Sequence, residues 1–198
     1  MKTFSALLDT LISAPAGRQA AIKEVIRDTF ERRKAVLALD MSGFTLSVRR
    51  DGILSYLCQI RRMQKLTLPI VQSHRGELVK FEADNLLAVF DDAGDAVDAA
   101  LEMLRAAEEE PVGDAPRLGF SIGIDHGDLL LIEGVDCFGD PVNLAHKLGE
   151  DTARAGELLV TGNVRGRLGD PSRFRMEEMN ISISGVEIVA YGVSCADA

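Results

Sequence analysis

The sequence predicts an α+β fold, a mixed sheet of the ferredoxin-like, palm type with helices packed on one face. Three observations predict it. Short apolar runs of strand length alternate with longer segments whose apolar residues recur every three or four positions. These segments follow one another in the order β-α-β-β-α-β, with further α and β segments after them. Two pairs of strand-like runs are separated by only two residues, the spacing of hairpins.

Each element has its own signal. Residues 1–16 form a short apolar stretch ending at Pro15 and Gly17, a small helix or loose arm. Ala21, Ile22, Val25, Ile26 and Phe30 recur at helical spacing within 18–33. The run 34–40 is apolar and closes on Asp40, as a buried strand would. Ile53, Leu57, Ile60, Met63, Leu66 and Ile70 predict a helix over 51–74, which Pro69 should kink. Residues 77–82 and 85–90 form a hairpin around Ala83-Asp84. A helix follows over 95–109, with Val97, Leu101 and Leu104 as its buried stripe. A second hairpin, 117–125 with 128–133, turns at His126-Gly127. Asp140 suits a helix N-cap, Pro141 the first helical position and Gly149 the stop. A strand at 157–161, a short helix near 162–168 and strands near 173–178 and 186–194 complete the chain.

The bulk numbers narrow the function. The 198 residues, 46% hydrophobic and 27% charged, suffice for one domain with a real core and a short extension. The net charge of −9, from 22 Lys and Arg against 31 Asp and Glu, argues against nucleic acid and anionic membrane as partners. A nucleotide would need local positive charge or a metal. No apolar run approaches the roughly 20 residues that span a bilayer. The N-terminus lacks the apolar core of a signal peptide. Cys58, Cys137 and Cys195 are odd in number and have no CxxC spacing, so reduced thiols in a cytoplasmic protein are expected.

Two groups of residues could carry chemistry. Asp40 ends a buried strand and Asp84 sits at a hairpin tip, positions from which carboxylates can hold Mg²⁺ or Mn²⁺ together with phosphate oxygens. Taken alone, either is equally an ordinary turn residue. Asn143 and Lys147 lie four apart on one helix face, with Asp136 upstream, and an amide beside a cation suits developing charge on phosphate. Alone, they are equally an exposed pair on a solvated helix. Lys80 alternates with Val79 and Phe81 and so should face away from both. His74 and His146 read as surface residues, and no grouping resembles a zinc site.

Four segments in order resemble one family. Asp40-Met41-Ser42-Gly43-Phe44-Thr45 is similar to the D-x-x-G-F-T opening of class III nucleotidyl cyclases. Lys80, with Asp84 four residues on, resembles their K-x-x-G-D hairpin. Ile122-Gly123-Ile124 with Gly127 resembles G-I-H-x-G, and residues 136–145 resemble D-x-[WF]-G-x-x-V-N-x-A. The closing strand of the family is similar to 185–193, and the resemblance covers roughly 34–195.

The resemblance implies a helical extension over 1–33 and a cyclase catalytic domain over 34–198. It implies an adenylate cyclase that converts ATP to cyclic AMP and pyrophosphate. Asp40 and Asp84, with the backbone of Met41, would hold two divalent ions. The backbone of Met41 through Gly43, Phe44 and Thr45 would cradle the triphosphate. Lys80 and Asp136 would read adenine, Asn143 would orient the ribose, and Lys147 would stabilise the α-phosphate at the transition state. Metal ligands and base-reading residues would come from different subunits of a homodimer.

Four positions depart from the family pattern: Lys147 stands for Arg, Ala83 for Gly, Ser121 for Arg and Asp125 for His. They keep a second reading open, a weakly active or inactive cyclase-fold module, or one with another nucleotide preference. A third reading, the related diguanylate cyclase fold, shares the hairpin but is disfavoured, because Glu82-Ala83-Asp84-Asn85-Leu86 lacks both glycines of G-G-[DE]-E-F.

Overall fold

The computed structural model of the chain describes residues 3–42, 52–110, 117–183 and 185–196. Gly43, Phe44 and Thr45 of the expected phosphate cradle lie outside them. Helix α1 (Phe4–Ser13) begins at Thr3, whose hydroxyl accepts from the Ala6 amide at 3.3 Å. Helix α2 (Ala16–Phe30) leads directly into strand β1 (Glu31–Met41). The strand thus starts before Lys34 and ends the predicted helix at Phe30. Glu31, Arg32 and Arg33 pair with Leu130, Leu129 and Asp128, so hydrogen bonding to the sheet overrides helical periodicity there.

Helix α3 (Ile53–Ser73) carries Pro69 inside it, as expected. Strands β2 (Glu77–Glu82) and β3 (Asn85–Phe90) form the expected hairpin. Helix α4 (Ala93–Glu109) is capped by Asp92, which accepts from the amides of Gly94 at 2.7 Å and Asp95 at 3.1 Å.

The second predicted hairpin does not exist. Residues 120–132 are one continuous strand, β4 (Phe120–Ile132), which pairs with β1 from Met41–Phe120 to Glu31–Leu130. The chain turns further on, and β5 (Asp136–Phe138) folds back on β4 with Asp136 opposite Ile132. Gly127, read as a turn residue, has another reason to be small: a Cβ there would come within 2.8 Å of the Pro141 ring.

Helix α5 (Asp140–His146) takes Gly139 as its N-cap and places Asp140 in its first turn. Gly149 does not stop it. The chain widens into a π-helical turn (Lys147–Thr152), in which the Ala153 amide reaches back to the Leu148 carbonyl at 2.7 Å. Strand β6 (Leu158–Thr161), helix α6 (Gly162–Arg165) and strands β7 (Phe174–Ile183) and β8 (Val186–Cys195) complete the fold.

The sheet runs β2-β3-β1-β4-β6-β8-β7, with β5 on β4; β4 and β6 are parallel and the other pairs antiparallel. Alternation along β1 divides its side chains between two cores. Leu37 and Leu39 pack with Phe90, Ile122 and Ile124 under α3 and α4. Val36 and Ala38 pack with Leu87, Val89, Val142 and Ala145 under α5. The expectation of helices on one face is therefore corrected: α5 covers the opposite face. Its backbone lies directly on the strands. A Cβ on Gly123 would sit 2.1 Å from the Ala145 carbonyl, and one on Gly149 would sit 2.8 Å from that of Ala38.

Candidate active site

Asp40 and Asp84 are brought together. Asp40 is the second-last residue of β1 and shares the α5 face with Ala38, two residues earlier. Asp84 lies in the tight turn between β2 and β3. Partial burial, then the negative charges of Asp84 and Glu150, push the Asp40 carboxyl up to about 6, against the Met41 backbone amide, which lowers it. Two mutually repelling carboxylates are a hard-oxygen donor pair of the kind that takes Mg²⁺ or Mn²⁺ with phosphate oxygens. Among the described residues no group of three or more His, Cys, Asp or Glu is placed to hold an ion by itself. The pair therefore fits ions that arrive with a triphosphate.

Lys80 and Asp136 also meet, 56 positions apart in sequence, with Nζ donating to Oδ2 at 3.1 Å. A β-bulge makes this possible. Leu78 pairs with Ala88 and Lys80 with Leu87, so Val79 is an extra residue in β2. Strict alternation would put Val79 and Phe81 on one face and Lys80 on the other. Instead Val79 joins the α5-side core, Phe81 packs on the opposite core, and Lys80 lines the α5-side cleft with Leu87. The expectation that Lys80 faces away from Val79 is corrected on this ground. Glu82 holds the ammonium from the other side at 2.8 Å, and chiefly through it keeps the Lys80 pKa above its ordinary value. Asp136 is fixed in turn by the Cys137 amide, which donates to Oδ1 at 2.8 Å.

Asn143 and Lys147 are exposed on α5 and the turn after it. Lys147 is ion-paired with Asp151 at 2.5 Å. His146 is not a bare surface residue: its Nδ1 lies 2.7 Å from Glu150. His74 likewise meets Glu102 at 2.7 Å. Three residues of the site escape sequence reasoning. Tyr56 of α3 is buried, and burial together with the Asp84 carboxylate holds its phenol protonated. Asn85 and Glu150 join across the cleft at 3.1 Å. Placing the helix end at Gly149 hid Glu150, although its spacing of four from His146 is the helical signal for such a pair.

An adenylate cyclase of Streptomyces coelicolor is 31% identical over 161 residues, which cover 76% of this chain and 40% of that protein. The catalytic core of a rhodopsin-guanylyl cyclase with converted specificity, solved with ATPαS, superposes with a TM-score of 0.75 at 20% identity, over 83% of this chain and 97% of that one. An adenylate/guanylate cyclase/hydrolase from Silicibacter pomeroyi superposes at 0.68 with 28% identity, over 84% and 98%. The chain has the class III nucleotidyl cyclase catalytic-domain fold. No family model matches it. It spans well under half the length of the curated relatives it matches.

The four residues that depart from the cyclase pattern sit in defined places. Ser121 is buried and lies opposite Asp40 across β1 and β4. Asp125 is buried and accepts from Thr161 Oγ1 and from Asn163 Nδ2, the latter at 3.2 Å, so its role there is structural. Ala83 adopts φ +51°, the left-handed region that suits glycine. An L-residue in that region costs about 1–2 kcal/mol, of which roughly 0.5–1 is returned by the lower unfolded-state entropy of Ala relative to Gly. Ala83→Gly should therefore raise the melting temperature by about 1–4 °C in thermal unfolding. A lower melting temperature would show that the tip is not strained.

Proposed function

We propose that this domain is an adenylate cyclase that converts ATP to cyclic AMP and pyrophosphate as a homodimer with shared sites. The observation that carries the reading is the meeting of Lys80 and Asp136, whose side chains are joined at 3.1 Å. An ammonium donor beside a carboxylate acceptor matches the adenine edge, which offers a ring nitrogen and an exocyclic amine. Asp40 and Asp84 would hold Mg²⁺ or Mn²⁺, which when bound would polarise the α-phosphate and favour ionisation of the ribose 3′-hydroxyl.

The chain's own residues do the rest. Asn143 orients the ribose so that its 3′-oxygen faces the α-phosphorus. That oxygen forms the new bond, pyrophosphate leaves with the electron pair of the bond that breaks, and the hydroxyl proton passes to solvent. Lys147 meets the charge that grows on the α-phosphate oxygens. Its pairing with Asp151, and the point-charge character of an ammonium against the planar fork of arginine, favour a slow enzyme.

The test is purified protein with Mn²⁺ or Mg²⁺ and each nucleoside triphosphate in turn, with cyclic product identified by mass spectrometry. ATP should exceed GTP by about tenfold or more in kcat/KM, the cost of one mispaired polar contact. GTP or a pyrimidine triphosphate as the better substrate would overturn the assignment of Lys80 and Asp136 to adenine.

A further inference from the structure

Glu150 makes a connection that the proposed reaction leaves unused. Its Oε1 accepts from Asn85 Nδ2 at 3.1 Å across 65 positions, and the same oxygen lies 2.7 Å from His146 Nδ1. Asn85 is the residue after Asp84 and the cross-strand partner of Asp40. It therefore stands between the two metal-binding carboxylates. On its other side Glu150 sits in the π-helical turn that begins at Lys147, one turn after Asn143.

The backbone explains how Glu150 comes to be there. Gly149 has no side chain, so the turn rests directly on the carbonyl of Ala38 and the amide of Gly123. The next side chain then emerges beside the end of β1 and the hairpin tip. Together with Lys80, Glu82, Leu87, Asn85 and His146 it walls a cleft of about 240 Å³.

We propose that Glu150 is a positioning residue, a latch that ties the segment bearing Asn143 and Lys147 to the hairpin bearing Asp84. It acts through Asn85 and not as a further ligand, since among the described residues no set of three such side chains can hold an ion. The inference rests on the proposed cyclase reading. In that reading Asp40 and Asp84 of a chain serve one site while Asn143 and Lys147 serve the other. The latch then sets the spacing of the two sites from within each subunit.

The experiment compares Glu150→Ala, Glu150→Gln, Asn85→Ala and the Glu150→Ala/Asn85→Ala double variant. It follows kcat and KM with Mn²⁺-ATP, and Mn²⁺ binding in the presence of 3′-deoxy-ATP, which lacks the attacking hydroxyl, by electron paramagnetic resonance. Glu150→Ala should lower kcat by about tenfold with KM within about twofold, and should weaken Mn²⁺ binding severalfold. Glu150→Gln should keep most of the turnover, because its carbonyl oxygen still accepts from Asn85. The double variant should be no worse than either single one, since both break the same tie. Wild-type kcat in Glu150→Ala, a loss in Glu150→Gln as deep as in Glu150→Ala, or additive losses in the double variant would each overturn the latch. If the wild type forms no cyclic nucleotide, the proposed function fails by itself. The Mn²⁺ measurement then decides the latch alone, and equal binding by wild type and both alanine variants overturns it.

Discussion

Asp40→Asn should abolish cyclase activity and, without metal, make the protein harder to unfold at neutral pH. The activity loss should be at least about a hundredfold, because even residues one step removed from a metal cost up to that much. The stability gain follows from the position of the Asp40 carboxyl at about 6, above the ordinary 3.8. A carboxyl whose folded pKa is raised favours the fold at a pH below the unfolded value, and that contribution is lost as pH rises through the folded value. Above about pH 6 the wild type thus carries a half-buried ionised Asp40 beside Asp84 and Glu150. Asparagine removes that charge. Melting temperatures of the two proteins should coincide near pH 4 and separate in favour of Asp40→Asn at pH 7–8. Adding Mg²⁺ or Mn²⁺ with ATP should stabilise the wild type and not the variant. Full activity in Asp40→Asn, or an equal stabilisation by metal and ATP, would remove Asp40 from the metal site.

Mixing two inactive proteins should restore activity. An Asp40→Asn homodimer lacks ion binding in both sites, and a Lys80→Ala homodimer lacks base reading in both. A heterodimer retains one complete site, formed by the metal-binding half of the Lys80→Ala chain and the base-reading half of the Asp40→Asn chain. With free exchange, half of the dimers are mixed and each has one working site of two. About a quarter of wild-type activity is therefore expected, for a symmetric two-fold pairing. A mixture that stays inactive while labelled subunits demonstrably exchange would show that each chain builds its own site.

Most of the architecture was legible because periodicity carries it. The β2–β3 hairpin and α4 follow from alternation and helical spacing, and the hairpin bounds are as read. What failed were positions whose meaning lies in a tertiary contact. Gly127 looks like a turn residue, yet it is small because Pro141 presses on a continuous strand. Gly149 looks like a helix stop, yet it lets the π-helical turn lie on β1. Of the candidate residues, Asp40, Asp84, Lys80 and Asp136 were singled out by the order of the motifs, and the structure couples Asp40 to Asp84 and joins Lys80 to Asp136. Tyr56, Asn85 and Glu150 were not, because a buried phenol, a hairpin amide and an exposed carboxylate acquire meaning only from neighbours far along the chain.

The bulge at Val79 has a consequence beyond aiming Lys80. Strand β2 is an outer strand of the sheet, with one row of backbone amides and carbonyls unpaired by β3. A long, flat outer strand is a template onto which another molecule can add a strand, the first step toward fibrous aggregates. The bulge breaks the regular spacing of that row and increases the local twist. Lys80 and Glu82 add charge to the same short stretch. The irregularity that presents a cation to the cleft also guards the rim of the sheet against uncontrolled growth, so a deletion that straightened β2 would be expected to cost solubility as well as catalysis.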